Sequence, residues 1–244
     1  MISSIFHSII YQPLFNVLIF LYNIIPGHDF GVAIVIITAL VRLILWPISN
    51  KSIRAQKSMQ GLQPKINALK TQYKDDKQKL AQATMELYKT EKINPFSSCL
   101  PLLIQLPILI GFYWVLSAGL KSQSFEILYP FISNPGSIKT IAFGFLDLSK
   151  ANIILAVLAG AAQFWQTKML PMQPPVVKGE GSKDESMTAM MNKQMMYMMP
   201  LMTVFIGATI PAGLTLYWLV TTLLTVLQQI MVFKKQNDST IITN

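Results

Sequence analysis

Residues 30–49 read FGVAIVIITALVRLILWPIS, with a single charge at Arg42. About 20 apolar residues are what a helix needs to cross a bilayer core of roughly 30 Å. The stretch therefore reads as a transmembrane helix. Arg42 is the only charged residue between Asp29 and Lys51. A charge at the centre of a span costs about 2.5–3.5 kcal/mol on insertion scales. Something must offset that cost or make use of it.

The rest of the chain follows the same pattern. Of its 244 residues, 52% are hydrophobic and only 13% charged, and the apolar residues come in long blocks. The fold class expected is an all-α polytopic membrane protein. Its expected order is an N-terminal segment 1–28, a first span 29–50, a cytoplasmic hairpin 51–94, a second span 95–118 and an extracytoplasmic loop 119–150. A third span 151–170, a flexible cytoplasmic loop 171–194, a fourth span 195–211, a fifth span 212–233 and a short polar tail 234–244 follow. Residues 9–25, IIYQPLFNVLIFLYNII, are also apolar, but Pro13 interrupts them and Gln12, Asn16 and Asn23 share one helical stripe. They read as an amphipathic helix lying in the interface, with a spanning helix as the alternative. Residues 1–26 lack a basic n-region and a small-residue cleavage site, and no lipobox-like cysteine appears there, so they are not read as a cleaved leader.

Orientation follows from the basic residues. The segment 50–95 carries Lys51, Arg54, Lys57, Lys65, Lys70, Lys74, Lys77, Lys79, Lys89 and Lys92. Lys178, Lys183 and Lys193, then Lys234 and Lys235, add to the same side, against Lys121, Lys139 and Lys150 on the other. The hairpin and C-terminus are expected in the cytoplasm and the N-terminus outside, in a bacterial cell membrane.

Within 51–93, Ile66, Leu69 and Tyr73 recur at helical spacing, as do Leu80, Thr84 and Leu87. KDDK (74–77) separates the two patterns. Asp75 and Asp76 are N-cap candidates for the second helix, and Asn94-Pro95 is its expected stop. This hairpin is either a solvated connector or a basic antenna for anionic lipid, a ribosome or a nascent chain.

Polar residues inside the spans cluster on one side. Gln105 lies mid-span in the second helix. Arg42, Gln163, Gln166, Gln228 and Gln229 fall in the cytoplasmic half, with the hydroxyls of Thr38, Ser49 and Thr167 nearby. The outer halves, VAIVII, ILAVLAG and TLYWLV, read as nearly free of strong polar groups. Each glutamine alone fits an interhelical hydrogen bond. Together with an arginine that has no intramembrane acidic partner, they fit a cavity open to the cytoplasm and sealed outside. Residues 187–202 hold eight of the fourteen methionines, which suits either an adaptable apolar contact surface or bundle filling. Pro101, Pro107, Pro200 and Pro211 predict kinks in the second and fourth spans.

Several functions lose support. There is no HExxH, no GxSxG, no intramembrane Asp or Glu and no phosphate-binding glycine loop. The lone Cys99 and the absence of Cys/His metal spacing point to no metal or cofactor. An enzyme or ATP-driven pump is not expected.

ITALVRLILWPISNKSIRAQKSMQGLQPKI, DDKQKLAQATMELYKTEKINPFSSCLPLLIQLPI and IPAGLTLYWLVTTLLTVLQQ together resemble the YidC-type membrane protein insertases, a superfamily with mitochondrial and chloroplast relatives. The resemblance covers most of residues 12–233. It implies five core helices around a hydrophilic groove open to the cytoplasm and to lipid, with Arg42 as the groove arginine. Thr38, Gln105, Gln163, Gln166, Gln228 and Gln229 would line the groove. A short, often acidic substrate segment would enter it. The substrate's hydrophobic segment would slide along the second and fourth core helices, past Pro107, Met195, Met199, Pro200 and Met202. No large extracytoplasmic domain is visible, so the compact bacterial form is the one resembled. The short tail makes the hairpin the expected ribosome contact, through Lys51, Arg54, Lys57, Lys65, Lys70, Lys74 and Lys77. Nascent membrane proteins and the lipid bilayer are the expected partners, with the Sec translocon a further one and no specific nucleic-acid sequence. The rivals are a small channel or transporter with an anion site at Arg42, or a non-catalytic assembly partner of a translocon.

Overall fold

Asp29 starts the first long helix. Its Oδ1 accepts from the amides of Gly31 at 2.8 Å and Val32 at 3.1 Å, satisfying donors that the first turn leaves open. A computed structural model describes residues 6–74, 76–94, 100–121, 125–169 and 196–242. After a π-turn at His7–Tyr11, the elements are α1 (Gln12–Ile24), α2 (Phe30–Gly61), α3 (Gln63–Gln72), α4 (Lys77–Thr90) and α5 (Leu100–Leu120). They continue with β1 (Ile141–Ala142), β2 (Leu146–Asp147), α6 (Ile153–Met169), α7 (Met196–Gly207) and α8 (Ala212–Ile242). The loop 171–194, Asp75, Pro95, Cys99 and Met195 lie outside the described residues, as does the Lys77 side chain.

Three helices among the described residues are long and apolar enough to cross a membrane: α2, α5 and α8. The chain is an all-α polytopic membrane protein. The 17 residues of α6 and the twelve described for α7 rise about 25 Å and 18 Å. Nothing in SNKSIRAQKSMQ breaks a helix, so α2 continues past residue 50 to Gly61, and α8 continues past residue 233 to Ile242.

The described residues form two compact units. The first is drawn from Met1–Leu45, Leu102–Gln163 and Pro200–Thr225. Its core holds Phe15, Leu18, Ile19, Phe30, Ile34, Ile37, Phe112, Leu116, Leu148 and Tyr217, all buried. Phe6 and Tyr11 meet Trp114 of α5 edge-on, at centroid separations of 5.3 and 6.4 Å. The polar stripe of α1 turns to the connector after α5. Gln12 and Asn16 donate to the carbonyl of Ile127, Asn16 Oδ1 accepts from the Tyr129 amide at 2.6 Å, and Asn23 donates to the carbonyl of Ser133.

That connector is more structured than a plain loop. β1 and β2 pair antiparallel, and the amide of Phe143 donates to Asp29 Oδ2 at 2.6 Å. The first amides of α8, Ala212 and Gly213, donate to the carbonyls of Lys150 and Leu148 at 2.8 and 3.0 Å. The connector therefore ties the starts of α2 and α8. Small residues allow close approach. A Cβ on Gly31 would lie 2.5 Å from Ala142 Cβ, and one on Gly160 of α6 would collide with Val204 of α7.

The second unit is drawn from Trp46–Pro101, Phe164–Met199 and Val226–Asn244. It contains the predicted hairpin. Ile66 of α3 is buried, and Lys65, Leu69 and Tyr73 face Ala83, Glu86 and Leu87 of α4 across a shallow groove. Lys65 pairs with Glu91. Asp76 is the N-cap of α4, accepting from the Lys79 amide at 3.0 Å. The stop is a correction: α4 ends at Thr90, before Asn94. Lys92 adopts φ 54°, with Ile93 donating to Tyr88 and Lys92 to Lys89, a Schellman-type cap.

Candidate functional site

Arg42 lies one turn beyond Thr38 on α2. Thr38 is buried and its hydroxyl donates to the carbonyl of Ile34 at 2.6 Å, so the helix itself satisfies it. Arg42 Nη2 donates to the carbonyl of Thr221 on α8 at 3.1 Å. That carbonyl also accepts from Thr225 Oγ1 at 2.7 Å. Arg42 Nε and Thr221 Oγ1 are buried without a hydrogen-bond partner among the described residues. No carboxylate pairs with Arg42 there either: the ion pairs are Lys65–Glu91, Lys79–Asp76 and Lys150–Asp147.

One turn before Thr221 stands Tyr217, which is buried. Its hydroxyl accepts from Gln105 Nε2 at 2.6 Å, and its ring stacks on Phe112 at 4.0 Å. The first unit therefore joins Arg42, Thr221, Tyr217 and Gln105 from three helices. TLYWLV, nearly free of strong polar groups, thus still contributes the Tyr217 hydroxyl to this set. Tyr217, Thr221, Thr225 and Gln228 recur at i, i+4, i+8 and i+11. That stripe was the available signal for Tyr217.

The chemistry available is anion binding. A guanidinium carries five N–H donors and stays protonated, so it serves poorly as a proton donor or acceptor. Its Nη2 is held by a neutral carbonyl, so the positive charge stays available to an incoming carboxylate, which a guanidinium binds with charge-assisted hydrogen bonds.

The other predicted residues are distributed differently. In the second unit, Gln228 Nε2 donates to the carbonyl of Trp46 at 3.1 Å and to Asn50 Oδ1 at 2.8 Å. Gln229 is buried, and its Oε1 has no partner among the described residues. Gln163 and Gln166 are half-buried on α6, and Pro107 is half-buried on α5. On α7, Met199 and Met202 are exposed, whereas Pro200 is buried. Its carbonyl would lie 3.1 Å from a Cβ on Gly160. Lys51, Arg54 and Lys74 are exposed and Lys70 half-buried. Lys57 is engaged: Nζ donates to the carbonyl of Phe233 at 3.1 Å and sits over its ring.

The description of the 60Kd inner membrane protein family matches residues 20–239. The chain belongs to that family. It is 37% identical over 227 residues to the membrane protein insertase YidC of Tolumonas auensis, covering 92% of this chain and 36% of that protein. It is 35% identical over 230 residues to the YidC of Fusobacterium nucleatum, covering 93% of this chain and 98% of that one. A third relative, from Francisella tularensis subsp. novicida, is 38% identical over 203 residues, 82% of this chain and 32% of that protein. The chain thus spans about a third of the length of several curated relatives and nearly all of the Fusobacterium one. These family members are named as insertases and not as enzymes.

Proposed function

We propose that the chain is a membrane protein insertase and chaperone for nascent bacterial inner-membrane proteins. In this reading α2, α5, α6, α7 and α8 are five core spans around a hydrophilic groove open to the cytoplasm. The N-terminus lies outside, α1 lies in the interface, and the C-terminus lies in the cytoplasm. Arg42 draws in a short, acidic substrate segment. Met199 and Met202 contact its apolar segment as it leaves towards lipid, and partitioning of that segment drives the step. Exposed Lys51, Arg54 and Lys74 on the cytoplasmic side would meet a ribosome, and the Sec translocon would be an optional partner. The observation that carries this reading is a half-buried arginine in an apolar span whose buried Nε has no hydrogen-bond partner and whose charge meets no carboxylate among the described residues. Such a cation suits an anion that comes and goes.

The test is photocrosslinking from residues 42, 107 and 202 to a stalled nascent membrane protein, alongside insertion into proteoliposomes. Crosslinks at 42 and 202 with active insertion are expected. Ion flux without insertion would favour a channel. Reconstituted protein that inserts nothing would reduce the chain to an assembly partner.

A further inference from the structure

The β1–β2 hairpin presents apolar residues outward. Its inner positions, Ala142 and Leu146, are buried, while Ile141 is 50% and Phe145 81% exposed. The turn between them carries Phe143 at φ 54° and Gly144 at φ 80°, and a bulky residue at positive φ is an outlier. Phe143 is held there by two contacts. Its amide donates to Asp29 Oδ2, and its ring lies 2.9 Å from where a Cβ on Gly31 would be. This strained, tethered turn aims Phe145 away from the protein.

Two features say what covers it. The connector is bonded to the first turn of α2 and to the first amides of α8, two helices of membrane-spanning length and composition. The hairpin therefore sits where those spans begin, at the depth of lipid headgroups. Lys139 flanks it and is exposed, while Lys150 pairs with Asp147. Aromatic side chains concentrate at this depth.

We propose that the 141–147 hairpin is an interfacial wedge, with Phe145 and Ile141 entering the headgroup region of the leaflet that the starts of α2 and α8 reach.

The test uses the full chain with Cys99→Ser, labelled with an environment-sensitive NBD dye at Phe145→Cys, Ile141→Cys or Ser137→Cys. The protein is reconstituted in vesicles of phosphatidylethanolamine and phosphatidylglycerol. Blue-shifted emission and quenching by brominated lipid at 145 and 141, but not at 137, are expected at every protein-to-lipid ratio. Water-like emission at 145 and 141 equal to that at 137 would overturn the proposal. So would shielding that grows with protein density without lipid quenching, which would assign the surface to a second copy of the chain. Phe145 is mostly exposed, so its replacement leaves the core intact, and the Ile141 label provides an independent reading.

Discussion

Arg42 and Thr221 are 179 positions apart and meet through one hydrogen bond of 3.1 Å from Nη2 to a main-chain carbonyl. A main-chain acceptor carries no net charge, so the guanidinium is held in place without being neutralised. Within the first unit Gly213 approaches Ile34 at the same offset, so α2 and α8 run parallel there. Within the second unit Asn50 bonds Gln228 and Lys57 bonds Phe233, at offsets of 178 and 176.

Arg42→Ala should weaken capture of substrates whose leading segment is acidic by about 1.5–3 kcal/mol, or roughly 10–100-fold. Neutral leading segments should be much less affected. Insertion assays with paired acidic and neutral substrates measure this. Equal losses for both classes would show that Arg42 supports structure and does not attract anions.

Tyr217→Phe keeps the stack on Phe112 but leaves Gln105 Nε2 without its acceptor. A destabilisation of about 0.5–2 kcal/mol is expected, read as a lower melting temperature in detergent. Adding Gln105→Leu should recover part of it, because the orphaned donor is gone. Full additivity of the two substitutions would argue against their coupling.

Gly31→Ala places a methyl group 2.5 Å from Ala142 Cβ. The hairpin or the first turn of α2 must shift, at a cost of about 1–3 kcal/mol. Gly61→Ala, where a Cβ meets nothing within 4 Å, is the matched control and should be neutral or stabilising. Thermal melts of the two variants side by side decide the matter.

The Lys79 amide, and then the Lys79 side chain, hold the Asp76 carboxyl below its ordinary value. A carboxyl lowered on folding stabilises the fold above its ordinary value, about 3.9, and loses that contribution as pH falls through the lowered one. The first turn of α4 should therefore fray below about pH 4, seen as faster amide exchange at Lys79. Asp76→Asn should keep the cap and remove the pH dependence. An unchanged acid response in that variant would assign the fraying to another group.

Much of this was legible locally. Pattern and caps located α2, α3, α4 and α8, because a helix's buried face and start signals lie within a few turns of sequence. Arg42 was visible for the same reason, being one charge in an apolar run. The paired structure of 125–150 was not. Its two-residue strands are too short to show a period, and they exist because Asp29, Tyr22 and α8 bind them from a distance. Hydropathy marked the expected spans 29–50 and 212–233, while the helices run on to Gly61 and Ile242, since hydropathy reports where lipid ends and not where a helix does.

By itself, the sequence determined that this is a helical membrane protein of one family, with a lone cation in its first span and a basic hairpin after it. Composition and periodicity are local properties, and hydrocarbon demands that backbone groups be satisfied within each helix. Only the tertiary structure decided what surrounds the cation. The Thr221 carbonyl rather than a carboxylate holds Arg42 among the described residues, Gln105 bonds Tyr217 one turn away on the same helix, and Pro200 turns inward while Met199 and Met202 face out. Periodicity names the face a residue occupies, but the element packed against that face is chosen by contacts more than a hundred residues apart.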